Sequence, residues 1–220
     1  MKQLVLNRRF SKLALKRKIL ITYSNPESII SEQYRMIQAN IKFSTEDKKS
    51  KTFLITSPNR GEGKSSTAAN LAVSIAQQKE KVLLIDANLR SPEIHSIFKM
   101  PNSPGLTDVL TGMVRFEDAI NHTVIGRLDV LTSGKVPVNP VELLASRMMQ
   151  ELLASLPNYD VVLIDSYSVL ELTDTKLLAN QCDGVVMVIQ KGKTQLDQAS
   201  EAKKVLEFAK AKLIGVIINE

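Results

Sequence analysis

Ser57-Pro58-Asn59-Arg60-Gly61-Glu62-Gly63-Lys64-Ser65-Ser66-Thr67 lies between an apolar run, Thr52-Phe53-Leu54-Ile55-Thr56, and an Ala-rich stretch that continues to Gln78. Strand, glycine-rich turn and helix N-terminus in that order form the setting of a phosphate-binding loop. Gly61 and Gly63 let the backbone curl so that successive N–H groups face one anion. Lys64 adds a mobile positive charge for outer phosphates, and the Ser65 hydroxyl suits the Mg²⁺ that accompanies a nucleotide. The usual pattern starts with glycine, where this chain has Pro58. A turn that merely caps a structural helix is the competing account, and it gives no reason for Gly-x-Gly-Lys-Ser-Ser-Thr at this junction.

Outward from the loop, apolar runs alternate with helical stretches. Strands are expected at 52–57, 81–86, 128–132, 160–165, 184–190 and 213–218, each rich in Val, Ile and Leu on both faces. Parallel strands buried between two helix layers have this composition. Right-handed crossovers then give an α/β fold, a doubly wound, mostly parallel sheet flanked by helices. Before the loop, Ile29, Ile30, Tyr34, Ile37 and Ile41 recur at helical spacing over 28–43, and 46–51 is a polar link. Residues 105–139 carry Gly and Pro punctuation and a short helix, and are expected to form a rim or lid.

Ligands in such sheets bind at the carboxyl ends of the strands. Three of the expected strands end there in polar groups: Asp86 after Val82-Leu83-Leu84-Ile85, Asp165 after Val161-Val162-Leu163-Ile164, and Asn219 after Ile217-Ile218. Mg²⁺ takes one or two carboxylates together with phosphate oxygens and water. For a single aspartate a helix N-cap is the alternative; Asp86 and Asp165 together with Lys64 and Ser65 favour a metal–nucleotide site. Asp174 and Asp183 lack this context and are expected to be caps or loop residues.

The chain has 220 residues, 44% of them apolar, which suits one domain. With Cys182 as the only cysteine, no internal disulfide forms, and two histidines and one cysteine do not build a common zinc site. This composition fits a reducing, cytoplasmic compartment. The net charge of +6 is uneven: residues 1–26 hold Lys2, Arg8, Arg9, Lys12, Lys16, Arg17 and Lys18 and no acid, so the rest of the chain is near neutral. The division is therefore a basic N-terminal arm, 1–26, and a single domain, 27–220. The arm's basic residues alternate with apolar ones, in runs too short for a signal peptide or a membrane span. Such an arm suits an anionic membrane surface; nucleic acid, an acidic partner and a solvated tail remain the other readings.

Taken together, these motifs resemble the bacterial tyrosine kinases of capsule and exopolysaccharide synthesis, P-loop ATPases related to MinD and ParA. The resemblance runs from about Ser28 to Glu220. It rests on Pro26-x-Ser28-x-x-x-Glu32-x-x-Arg35, on Gly61 to Ser65, and on Val82 to Asp86 with Leu89-Arg90-x-Pro92. Gly105-Leu106-Thr107-Asp108-Val109-Leu110, Leu131-Thr132-Ser133-Gly134 and Asn139-Pro140-Val141-Glu142-Leu143-Leu144 complete it. It implies an ATP-dependent protein tyrosine kinase that regulates capsular or exopolysaccharide synthesis and export. Arg60, Gly61, Glu62, Gly63, Lys64, Ser65 and Ser66 would cradle the phosphates of ATP or ADP. Ser65, Asp86 and Asp165 would hold Mg²⁺, with Asn88 a further candidate; Lys64, Asp86 and Asp165 would be catalytic, Asp86 assisting deprotonation of the acceptor tyrosine. Asn219 would contact adenine. The implied partners are a transmembrane activator of the polysaccharide co-polymerase type, further copies in a ring, and tyrosine-containing protein substrates; nucleic acid is not among them. The implied location is cytoplasmic, peripheral to the inner face of the plasma membrane.

Partition ATPases of the wider group carry an extra lysine near the start of the loop, where this chain has Pro58-Asn59-Arg60, which disfavours a positioning ATPase. Four departures from the kinase pattern bear on activity. Asn88 replaces a second carboxylate. Ser166-Tyr167-Ser168 replaces a Thr-Pro-Pro segment, and loss of both prolines is expected to free that loop. Gln38 replaces an arginine of the assembly helix, weakening the ring. Tyr23, Tyr34, Tyr159 and Tyr167 are the chain's tyrosines, so no C-terminal tyrosine cluster is present before Glu220. A nucleotide-binding regulatory module with weak or no kinase activity is therefore the alternative reading.

Overall fold

The computed structural model describes residues 20–43, 51–156 and 158–220. Residues 1–19 of the expected basic arm and most of the polar link lie outside them. A seven-stranded sheet has the order β3-β4-β2-β5-β1-β6-β7, where β1 is Lys51–Thr56, β2 Val82–Asp86, β3 Asn121–His122, β4 Leu128–Leu131, β5 Val161–Asp165, β6 Gly184–Gln190 and β7 Leu213–Asn219. Every pairing is parallel except β3 with β4. All six expected strands are present within about a residue of their expected ends; β3, a two-residue edge strand of Asn and His, has no apolar run to announce it.

The strands alternate between two cores, which is why they read as continuous apolar runs. Phe53, Ile55, Val82, Leu84, Val161, Leu163, Val186 and Val188 face one side. There they meet α2 (Ile29–Phe43), α3 (Lys64–Gln77) and α4 (Ile94–Phe98). Leu54, Leu83, Ile85, Val162, Ile164, Val185 and Met187 face the other. On that side pack α5 (Leu106–Leu110), α6 (Phe116–Ala119), α7 (Pro140–Leu144), α8 (Arg147–Ala154), α9 (Asp174–Gln181) and α10 (Leu196–Phe208).

Helix α3 is buried nearly all round, and its small residues (Ala68, Ala69, Ala72, Ala76) let it lie close between the sheet and α2. One buried polar contact fixes it. Thr22, on the short helix α1 (Ile21–Ser24), donates its N–H and its hydroxyl to Asn70 Oδ1 at 3.1 and 3.0 Å. Helix α2 starts where the Ser28 hydroxyl accepts the Ser31 N–H at 3.1 Å, an N-cap.

The segment 105–139, expected as a rim or lid, is built into the sheet edge. It contains α5, α6, β3 and β4, and the N–H groups of Leu106 and Thr107 donate to the carbonyls of Thr132 and Ser133 at 2.7 and 2.9 Å. A Cβ on Gly105 would overlap the Gly134 main chain, so this close approach requires glycine.

Replacing Asn70 with Ala leaves the buried Thr22 N–H without its acceptor, while the Thr22 hydroxyl keeps the carbonyl of residue 70 at 3.2 Å. A loss of about 1–3 kcal/mol is expected, which for a chain of this size lowers Tm by about 2–12 °C. Thermal denaturation checks this, and an unchanged Tm would contradict the anchoring role of the pair.

Candidate active site

The phosphate loop runs from the end of β1 into α3, beside the loops that follow β5 and β2 on one flank and β6 and β7 on the other. Gly61 and Gly63 have φ of +71° and +88°, the left-handed region that favours glycine. Space adds a second reason, because a Cβ on Gly63 would overlap the Asn219 amide.

The β6–β7 flank braces the loop from outside. Lys193 Nζ donates to the carbonyls of Arg60 and Gly61 at 2.8 and 2.9 Å. Asn219 Nδ2 donates to the Glu62 carbonyl at 3.1 Å. The fully buried Glu62 side chain accepts the Asn59 N–H at 2.9 Å and the Thr194 hydroxyl at 2.6 Å. Glu62 is among the residues expected in the phosphate cradle, and its carboxylate holds the loop's own shape. Lys193 and Thr194 carry no sequence signal, since they reach the loop only through the pairing of β6 beside β1.

On the opposite flank the parallel register sets Asp86 beside Asp165, at the same level on adjacent strands. Both are fully buried. Asp86 Oδ2 accepts the N–H groups of Glu93 and Ile94 at 3.1 and 3.0 Å, and its Oδ1 accepts that of Asn88 at 3.2 Å. These bonds favour the carboxylate, but burial first and the neighbouring Asp165 second hold the Asp86 carboxyl well above the usual carboxylate range. Ser65 is buried close by in sequence to Lys64, and its hydroxyl has no hydrogen-bond partner among the described residues. Two buried carboxylates and an unsatisfied hydroxyl are a hard oxygen donor set of the kind Mg²⁺ takes. No group of three or more His, Cys, Asp or Glu that would hold a metal occurs among the described residues. The set therefore fits an ion that draws its remaining ligands from phosphate and water.

Asn88 is engaged in its own loop. Its Nδ2 donates to the Ser91 carbonyl at 2.8 Å and its Oδ1 accepts the Ser91 N–H at 3.3 Å. A carboxylate could make only the second bond, so the amide closes this turn in a way an aspartate does not.

The segment 166–168 is not freed by the loss of proline. Ser166, Tyr167, Ser168 and Val169 are all buried. The Tyr167 carbonyl accepts hydroxyl donations from Thr56, Thr175 and Ser166 at 2.9, 2.8 and 3.2 Å. Val169 N–H donates to the Ser57 carbonyl at 2.9 Å. Hydroxyl bonds do here what proline rings were expected to do. Arg60, on the phosphate loop, faces this segment: its N–H donates to Glu171 Oε1 at 3.0 Å and its Nη2 to Ser91 Oγ at 3.1 Å. Asp174 and Asp183, expected as caps or loop residues, have structural partners: Asp174, the first residue of α9 and not its cap, pairs with Arg90 at 3.0 Å, and Asp183 accepts the Thr52 N–H at 2.9 Å.

Known proteins resemble this chain in sequence and fold. Residues 50–213 match a family model described as an AAA domain. The tyrosine-protein kinase YwqD of Bacillus subtilis (strain 168) is 48% identical over 201 residues, covering 91% of this chain and 85% of its own. The chain belongs to the bacterial tyrosine kinases. The kinase domain of the Escherichia coli tyrosine kinase ETK superposes on this kinase with a TM-score of 0.87 at 30% identity, over 91% of this chain and 79% of that one. MinD of Pyrococcus horikoshii, solved with Mg-ADP, superposes with a TM-score of 0.67 at 26% identity, over 77% of this chain and 70% of that one.

The carboxylate pair makes a stability prediction for the kinase without nucleotide. Because the folded state raises the proton affinity of Asp86, it holds a proton that the unfolded chain releases above about pH 3.9. Stability therefore falls as the pH rises from that value toward the folded pKa. Asp165→Asn removes the like charge and should flatten the fall. In metal-free buffer the variant is expected to melt several degrees above wild type at pH 8 (about 2–4 °C per kcal/mol), with a smaller gain at pH 5. A variant that melts below wild type at both pH values would contradict the account.

Proposed function

We propose that this kinase transfers the γ-phosphoryl group of ATP to tyrosine side chains of proteins, in the control of capsular or exopolysaccharide synthesis and export. The observation that carries the chemistry is the level pairing of Asp86 and Asp165 beside the phosphate loop. In this reading the loop main chain from Arg60 to Ser66 and the N-terminus of α3 bind the phosphates, and Lys64 neutralises the outer ones. Ser65, Asp165 and Asp86 would hold Mg²⁺, which when bound neutralises phosphate charge and fixes the orientation of the phosphate oxygens. Asn88 serves the turn at Ser91 rather than the ion. Asp86, the carboxyl with raised proton affinity, is the group suited to take the proton of an incoming tyrosine hydroxyl. Asn219, at the end of β7 and against Gly63, is placed for the base end of the nucleotide. The ordered segment 166–169 favours a working enzyme over an inert regulatory module, since the loop beside Asp165 is held rather than loose.

The proposed partners are a membrane-spanning activator of the polysaccharide co-polymerase type and further copies of the chain. Helix α2 offers a surface for such contacts: Ile29 and Met36 are exposed beside a Glu32–Arg35 ion pair at 2.6 Å. Gln38 turns inward and accepts the Ser74 hydroxyl at 3.4 Å, so it adds nothing to that outer face. No helix among the described residues is long and apolar enough to cross a membrane, and attachment to the inner membrane face would run through the activator and the basic arm.

Lys64→Met tests the reading. With Mg²⁺-ATP, a tyrosine protein substrate and the activator's cytoplasmic tail, wild type is expected to form phosphotyrosine. The variant should fall by at least about 10²-fold, the scale for removing one preorganised donor from developing charge. Absence of phosphotyrosine with wild type, or an unaffected Lys64→Met, would overturn it.

A further inference from the structure

Tyr167 stands where the resemblance leads one to expect proline, and the structure gives its ring a definite use. The ring centroid is 5.2 Å from the Arg60 guanidinium carbon and 5.9 Å from Lys64 Nζ, so both cations of the phosphate loop lie within cation–π range of one aromatic face system. Tyr167 and Lys64 are both buried, which strengthens their contact by excluding water, while the Arg60 side chain keeps its outer part in solvent. Its place is over-determined. The carbonyl is fixed by three hydroxyl donors, as described, and the phenol lies beside the Glu171 carboxylate. The same Glu171 accepts the Arg60 N–H at 3.0 Å. Arg60 then reaches across to Ser91 on the loop after β2. Arg60 thus links the phosphate loop to both carboxylate-bearing loops, through its main-chain N–H to Glu171 and its guanidinium to Ser91, with Tyr167 as the surface the guanidinium lies on.

The flank matters. Asn219, Lys193 and Thr194 approach the phosphate loop from β6 and β7, whereas Tyr167 belongs to the loop after β5, two residues beyond Asp165. A nucleotide with its base toward Asn219 has its outermost phosphate toward Tyr167. We infer that Tyr167 is a positioning residue that holds Arg60 and Lys64 on the side of the outermost phosphate and so sets the preference of the site for ATP over ADP. The inference rests on the nucleotide reading above. The ring supplies the contacts, and the hydroxyl takes no part in them.

Affinities of the full chain for Mg²⁺-ADP and for a non-hydrolysable Mg²⁺-ATP analogue, measured by titration calorimetry, test this apart from turnover. Tyr167→Leu is expected to weaken the ATP analogue by about 5- to 30-fold, the range for partly desolvated cation–π contacts, and ADP by less than about 2-fold on the same grounds. Tyr167→Phe should keep the wild-type ratio. A purely structural role predicts equal losses for both nucleotides, and that result, or an unchanged ratio in Tyr167→Leu, would overturn the inference while leaving nucleotide binding intact. Wild type that bound neither nucleotide would remove the reading and the inference together. Should Tyr167→Leu fail to fold, the exposed Arg60 carries the test: Arg60→Gln must lower the ATP-to-ADP affinity ratio, and an unchanged ratio overturns the proposal.

Discussion

Two carboxylates buried at the same height on neighbouring strands are expensive for a protein to keep. The parallel register of β2 and β5 forces Asp86 and Asp165 into that position, and neither is exposed to water. The three N–H groups donated to Asp86 offset part of the cost, yet its carboxyl still holds a proton far more tightly than usual. A site of this kind is stabilised by a cation and a polyanion arriving together. The remainder of the molecule can be understood as the frame for that event: a central sheet that fixes the register, an Ala-rich helix close enough to present Lys64 and Ser65, and two flanks that grip the loop between them.

The flanks differ in chemistry. On the β6–β7 side, neutral and cationic donors (Asn219, Lys193) take up loop carbonyls, and Glu62 is fixed by Thr194. On the β5–β2 side stand the carboxylates and an arginine that ties three loops together. In the proposed reading this asymmetry would give the nucleotide a direction, base to one flank and outer phosphate to the other. It also separates parts that hold the loop's shape from parts that meet charge, a distinction that residue type alone does not make: Glu62 and Asp165 are both buried acids within the same site.

The sheet was legible in the sequence because strands buried on both faces leave uninterrupted Val, Ile and Leu runs, and the site because the Gly-Lys-Ser turn and two terminal aspartates follow such runs. What was not legible depends on tertiary placement. The two-residue strand β3 has no pattern to detect. The rim or lid expected at 105–139 is a sheet edge whose close backbone approach Gly105 and Gly134 allow. The loop at 166–168 was expected to loosen without its prolines, but Thr56 and Thr175, distant in sequence, supply hydroxyls that lock it. Asn88, a further metal candidate by sequence, also closes a turn through its amide, a contact no pattern announces.

The most direct measurement concerns the ion. Mn²⁺ substitutes for Mg²⁺ at oxygen sites and is visible by electron paramagnetic resonance. In the presence of ADP, wild-type chain should immobilise Mn²⁺ stoichiometrically, and Asp86→Asn and Asp165→Asn should each release it while remaining folded. Mn²⁺ that stays free with wild type and ADP, or stays bound in both variants, would contradict the claim that the buried pair is the cation half of the nucleotide site.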